Sequence, residues 1–131
     1  MLRPRVYLAD DHPQLLDAVG KLLNPYFEVV GSARNGADLV SLAPSLNPEV
    51  IVADINMPQI SGIEAVRQLR ESGCTAKIVF LTVHSEHEFL QACLDVGALG
   101  YVLKSCMKTG LIPAIQAALK GQSYIAMVSS Q

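Results

Sequence analysis

Short apolar runs alternate along this chain with longer stretches whose apolar positions recur every three or four residues. That is the pattern of strands buried on both faces and of helices laid over them. Val6 to Ala9 reads as the first strand. Pro13 then opens a helix with Leu15, Leu16, Val19, Leu22 and Leu23 on one face, stopped by Asn24-Pro25. Phe27 to Ala33 is a second strand, less apolar than the others and therefore expected at an edge. Asn35-Gly36 begins a second helix through Leu39, Val40, Leu42 and Leu46, in which Pro44 is awkward and which Asn47-Pro48 ends. Val50 to Ala53 is the third strand, and a loop to Gly62 precedes a helix striped by Ile63, Val66 and Leu69, with Gly73 just beyond it. Lys77 to Leu81 is the fourth strand. Ser85 is expected to cap the next helix, with Glu88 completing a capping box and Phe89, Leu90, Cys93, Leu94 and Val96 as its apolar positions before Gly97. A short fifth strand, Gly100 to Leu103, leads to a helix over about Lys108 to Lys120, apolar at Leu111, Ile112, Ile115, Ala118 and Leu119 and closed by Gly121.

Five strand–helix units in succession predict an α/β fold whose parallel sheet is covered on both faces. Right-handed crossovers and an edge position for the second strand select the flavodoxin-like, doubly wound (βα)5 arrangement, strand order 2-1-3-4-5. A chain of 131 residues is enough for one such domain and its core. Half of its residues are hydrophobic, 17% are charged and only 5% aromatic, which suits a core of aliphatic side chains.

Charge and cysteine usage remove whole classes of function. A formal net charge of -2 provides no electrostatic footprint for nucleic acid. Cys74, Cys93 and Cys106 are odd in number and lack CxxC spacing, so they read as thiols in a reducing compartment rather than as a disulfide or metal framework. The opening residues Met1 to Arg5 are too short for a signal peptide, and no apolar stretch is long enough to span a membrane. The expectation is a soluble cytoplasmic domain.

What stands at the strand ends changes the picture further. Asp10-Asp11 follow the first strand, Asp54 the third, Thr82 ends the fourth and Lys104 the fifth. In a parallel sheet these ends share one edge, and ligands bind there beside the switch point between strands one and three. Three carboxylates, a hydroxyl and an ammonium on that edge suit a divalent cation and a phosphoryl group. Singly, each has a plain structural reading: Asp11 as a helix cap, Asp54 as a turn former, Thr82 as a strand former, Lys104 as a solvated charge. Jointly, those readings require several independent accidents at one edge.

Those five residues, with Met57-Pro58 and Gly62, resemble the receiver domain of two-component response regulators, over residues 4 to 122. Ala9-Asp10-Asp11-His12-Pro13, Asp54-Ile55-Asn56-Met57-Pro58 and Gly97 through Lys104 are similar to the NarL/FixJ branch, whose output domains are of the LuxR type. Ser105 stands where many other receivers have proline. The resemblance implies Asp54 as phosphoacceptor from a sensor histidine kinase, and Mg²⁺ held by Asp11, Asp54 and the backbone carbonyl of Asn56, with Asp10 acting through water. It implies Lys104 and Thr82 as partners of the phosphoryl oxygens, and Thr82 with Tyr101 as switch residues that reshape the face of helix four, strand five and helix five. Asn56 and His84 fall at positions that tune phosphoryl lifetime. Homodimerisation on phosphorylation is also implied, and no turnover catalysis beyond self-phosphorylation and slow hydrolysis.

Residues 1–121 are read as the receiver and 122–131 as the start of a linker to a DNA-binding output domain not in this chain. The alternative is a stand-alone or unphosphorylated receiver acting as an interaction module. A haloacid-dehalogenase-type phosphatase needs an acid two residues after its nucleophile, and Asn56 stands there. His84 and His87 have spacing for a metal pair but lack a third ligand, and His12 is read as a loop-lining side chain.

Overall fold

The computed structural model describes residues 3–127. Its strands are β1 (Arg5–Ala9), β2 (Glu28–Ala33), β3 (Val50–Ala53), β4 (Lys77–Thr82), β5 (Gly100–Leu103) and β6 (Tyr124–Ala126). Its helices are α1 (Pro13–Leu23), α2 (Gly36–Leu46), α3 (Gly62–Glu71), α4 (His87–Asp95) and α5 (Met107–Leu119), with one 3₁₀ turn at Lys104–Cys106. All six strands are parallel in one sheet, ordered β2-β1-β3-β4-β5-β6. The flavodoxin-like order is thus present and extended by one strand, within the segment expected to be linker. Residues 128–131 of that segment lie outside the described residues.

Side-chain alternation sorts the helices by face. Leu8, Val52 and Leu81 line a small cavity with Leu15, Leu16 and Val19 of α1, while Gly110 of α5 approaches Val102, which pairs with Leu81. Helices α1 and α5 therefore share one face. Tyr7 meets Leu46 on the other side, beside α2, and α2 packs against α3. The central strands β3 and β5 are buried at every position, and Ile51, Ile78, Phe80, Leu111 and Ile115 are fully buried between the layers. Each such side chain contributes about 1.5–3 kcal/mol of transfer free energy, the main term holding the layers together.

Handedness accounts for the unforeseen strand. The α1 connection steps from β1 outward to β2, and the α5 connection steps from β5 in the opposite direction, yet both helices lie on one face. The two crossovers therefore have opposite hands. The α5 crossover departs from the right-handed rule used to select the topology. A three-residue strand with the burial pattern intermediate, exposed, intermediate carries no apolar run to announce it.

Helix ends follow local chemistry in some places only. Asn35 caps α2 through a 2.8 Å hydrogen bond from the Asp38 amide, and Ser61 caps α3 through one of 3.1 Å from the Glu64 amide. Pro44 stays within the last turn of α2, and Asn47 ends the helix in the left-handed conformation, φ 51°. The expected Ser85–Glu88 box does not form: α4 begins one residue later, with Glu86 at its N-cap and no side-chain cap. Every peptide bond among the described residues is trans, including Lys104–Ser105.

Candidate functional site

Backbone ladders carry two carboxylates to the carboxyl edge of the sheet. The Asp10 amide donates to Ala33 and the Asp54 amide to Ala9, at 3.0 and 2.9 Å, so both residues continue their strands and both are buried. Asp11 follows, partly exposed. The β3–α3 loop returns closely over this edge: the Gly62 amide donates to the Ile55 carbonyl at 2.7 Å, and a Cβ on Gly62 would collide with the Asp54 carbonyl oxygen. Only glycine fits there. Gln59 in the same loop takes a positive φ of 75°, a conformation that costs a side-chain-bearing residue free energy.

Lys104 ties the carboxylates together. Its Nζ lies 3.0 Å from Asp10 Oδ2 and 3.1 Å from Asp54 Oδ2, with little of the ammonium exposed. The remaining Asp54 oxygen accepts the Ile55 amide at 2.7 Å. Burial alone would lower the Lys104 ammonium, but the hydrogen bonds and charges of Asp10 and Asp54 outweigh it and hold the pKa above the usual lysine value. For Asp54 the balance goes the other way. Burial raises its pKa, Asp10 adds to the rise, and Lys104 and the Ile55 amide offset it only in part. One ammonium shared between two buried carboxylates does not fully compensate Asp54.

Asp11 sharpens that imbalance. Its Oδ1 is a buried atom without a hydrogen bond, although His12 Nδ1 stands 3.1 Å away, close but not directed as a donor. The same His12 nitrogen is 3.0 Å from Asp10 Oδ1, which also accepts the His12 amide at 2.9 Å. Ligand atoms of Asp10, Asp11, His12 and Asp54 all lie within 4.8 Å of one another. An acidic pocket with an orphaned carboxylate oxygen is fitted to a divalent cation.

Thr82 and Tyr101 occupy the neighbouring column. Thr82 is fully buried, and its Oγ1 accepts the His84 amide at 3.1 Å. Tyr101 is fully buried as well, its hydroxyl donating to the His84 carbonyl at 2.5 Å, and burial pushes its pKa up to about 12. His84 thus joins both residues through its backbone. Its ring stacks on Phe89 at 3.9 Å and an 11° interplanar angle, and its Nε2 meets Asn56 Nδ2 at 2.6 Å. The family resemblance marked Asn56 and His84 but not this contact, which joins the loop after β3 to the segment before α4. His87 is exposed, and among the described residues neither His84 nor His87 belongs to a metal-ligating group. His12, read as a loop-lining residue, is at the pocket itself.

Buried carboxylates at the switch point of a doubly wound parallel sheet, bridged by a strand-end lysine, define a receiver-type module. The chain matches the response regulator receiver domain family over residues 6–116 and belongs to it. Its relatives place it among NarL- and LuxR-type regulators. It is 40% identical over 119 residues to the nitrate/nitrite response regulator NarP of Escherichia coli K12, covering 89% of this chain and 55% of that protein. It is 37% identical over 122 residues to NarL of the same strain, covering 92% and 56%. The isolated receiver domain of RcsB from Salmonella enterica serovar Typhimurium, solved with the phosphomimetic BeF3-, superimposes with a TM-score of 0.86 at 30% identity, over 94% of this chain and 93% of that one. The chain thus spans about half the length of the curated relatives it matches. Among the described residues, no helix is long and apolar enough to cross a membrane.

Proposed function

We propose that this chain is the phosphoryl-accepting switch of a two-component regulator, with Asp54 as acceptor and the phosphohistidine of a sensor histidine kinase as donor. The observation that carries the reading is the charge imbalance at the pocket. Asp10, Asp11 and Asp54 face the single ammonium of Lys104, leaving two formal negative charges for a divalent cation to neutralise. In the reaction an Asp54 carboxylate oxygen bonds to phosphorus as the donor's phosphorus–nitrogen bond breaks. The electron pair stays on the imidazole nitrogen, which takes up a proton.

Asp11, Asp54 and the Asn56 backbone carbonyl would hold Mg²⁺, with Asp10 acting through a bound water. When bound, the ion lets adjacent carboxylates stay ionised and adds positive charge beside the incoming phosphoryl oxygens. Lys104 serves those oxygens as a point charge. Thr82 donates its hydroxyl proton to another of them, and this draws on the loop that its Oγ1 now holds through the His84 amide. Tyr101, on the carbonyl of the same His84, is in the inward arrangement. Together with an outward one it forms a two-state element that the phosphoryl group biases. The face altered is the one flanked by α4 and α5 beyond β5, whose outer edge β6 covers, and through it the phosphorylated chain forms a homodimer and controls an output domain. That output is DNA-binding in this reading, by analogy with relatives about twice as long, and no residue of this chain is assigned to DNA. The setting is cytoplasmic, and the chemistry is one phosphorylation and slow hydrolysis rather than turnover on a separate substrate.

Intact-protein mass spectrometry after incubation with Mg²⁺ and acetyl phosphate tests the reading. A single phosphoryl adduct is expected, absent from Asp54→Ala and from protein treated with EDTA before the donor is added. Failure of several phosphodonors to form an adduct would leave an unphosphorylated interaction module.

A further inference from the structure

Strand β6 lies beside the Tyr101 column and has so far no part in it. It pairs along the outer edge of β5, setting Tyr101 against Ile125 and Val102 against Ala126, and the Tyr124 amide donates to the Leu99 carbonyl at 2.9 Å. Paired residues on neighbouring strands stand about 4.8 Å apart, with their side chains on one face. Val102 and Ala126 share the α5 face, where both approach Gly110. Tyr101 and Ile125 share the opposite face. The order β4-β5-β6 decides what this means for the tyrosine. Its ring leans towards β4, since the hydroxyl reaches the carbonyl of His84, two residues beyond that strand. A ring leaning the other way would enter the space that Ile125 fills. Tyr101 is fully buried although only the three-residue β6 lies beyond it, whereas Ile125 is 47% exposed. The isoleucine stands between the ring and solvent at that edge. Its strand is weakly held, by a crossover of the less common hand and with an open groove towards α5 lined by Cys106, Thr109 and Gly110.

We propose that β6 reads the Tyr101 switch: it docks on β5 only while the ring points inward, and an outward ring displaces it through Ile125. The inference rests on the two-state reading of Tyr101 given above. Because the docked strand and the outward ring exclude each other, the coupling is reciprocal: what favours the inward ring protects β6, and what holds β6 favours the inward ring. A phosphoryl group on Asp54 that favours the inward ring then tightens β6 as well, and its signal reaches the chain beyond α5. Gly110 is the seat of the strand. An added Cβ there would stand 2.8 Å from the Ala126 Cβ, and its next neighbour, on Val102, is 3.6 Å away. A side chain on Gly110 therefore unseats β6 from the face opposite Tyr101.

Three-bond couplings to the ring carbon Cγ in isotope-labelled chain give the Tyr101 rotamer populations, and amide exchange on the same samples follows Tyr124–Ala126. One Tyr101 rotamer is expected in the unaltered protein. Gly110→Val should speed exchange at Tyr124–Ala126 about tenfold and mix the Tyr101 rotamers. Ile125→Ala vacates the outward space but keeps the β6 backbone, so it should mix the rotamers with exchange changed by no more than about threefold. A single Tyr101 rotamer in either variant would overturn the inference, and if one variant fails to fold the other decides. In the unaltered chain, Mg²⁺ and acetyl phosphate should slow exchange at Tyr124–Ala126 about threefold. A phosphoryl adduct without that slowing would also overturn it. Rotamers that mix in the variants of a chain that takes no phosphoryl group would sink the phosphoryl-accepting reading and leave the coupling of β6 to Tyr101 standing.

Discussion

At the scale of single residues, the site is governed by too many carboxylates for one lysine. Removing Lys104 leaves Asp10 and Asp54 buried against each other, and breaking a buried pair in this way costs about 3 kcal/mol. Lys104→Met is therefore expected to unfold at lower urea concentration in EDTA, and to form no phosphoryl adduct. The pKa directions give a second expectation, with opposite signs for the two partners. Lys104 is raised, so its stabilising contribution is full below the ordinary lysine value and lost as pH rises through its folded value. Asp54 is raised too, by burial first, so its ionised form costs stability near neutrality and the cost is relieved as pH falls through its folded value. Asp54→Asn should accordingly melt higher than the unaltered chain at pH 7 in EDTA, with Mg²⁺ raising the melting point of the unaltered chain only. A lower melting point for Asp54→Asn in EDTA would show that Lys104 compensates Asp54 after all. The strand-end residues could be read from the sequence because apolar runs mark where strands stop. The His84–Asn56 contact could not, since it spans 28 positions and depends on how the β3–α3 loop folds back.

Among the elements, helices and strands followed their apolar periods closely, and the departures have local causes. Ser61 and Ser85 each lead a Ser-x-x-Glu sequence, yet only Ser61 caps a helix. Before α4, the chain entry is set instead by the His84 ring stacked on Phe89 and by the two hydrogen bonds that hold the His84 backbone. Ser61→Ala should then cost about 1 kcal/mol by urea denaturation, whereas Ser85→Ala should stay within about 0.5 kcal/mol. Strand β6 is the other departure. It is short, sits at the sheet edge and hangs on a crossover of the less common hand, with Ile125 half exposed. Amide hydrogen exchange should run faster across Tyr124–Ala126 than across Gly100–Leu103, whose strand is paired on both sides. Equal protection of the two strands would mean that β6 opens only with the whole sheet.

For the whole molecule, the proposed switch has to be visible as assembly. In the proposed switch, phosphorylation would bias the shared His84 backbone, to which both Thr82 and Tyr101 are bonded, and so reach α4 and the α4–α5 side of the sheet, where β6 covers β5. Sedimentation should find tighter self-association after acetyl phosphate and Mg²⁺ treatment than before, and equal association constants would rule out that face as a phosphorylation-dependent interface. The sheet order and the meeting of Asp10, Asp54, Thr82 and Lys104 at one edge follow from the linear pattern, because period and strand-end position are local properties and parallel crossovers leave few ways to assemble them. The sharing of Lys104 between two carboxylates, the bond from Tyr101 to His84 and the added strand β6 arise only when distant segments pack. Each depends on distances of a few ångströms between residues far apart in the chain, and no periodicity encodes such distances.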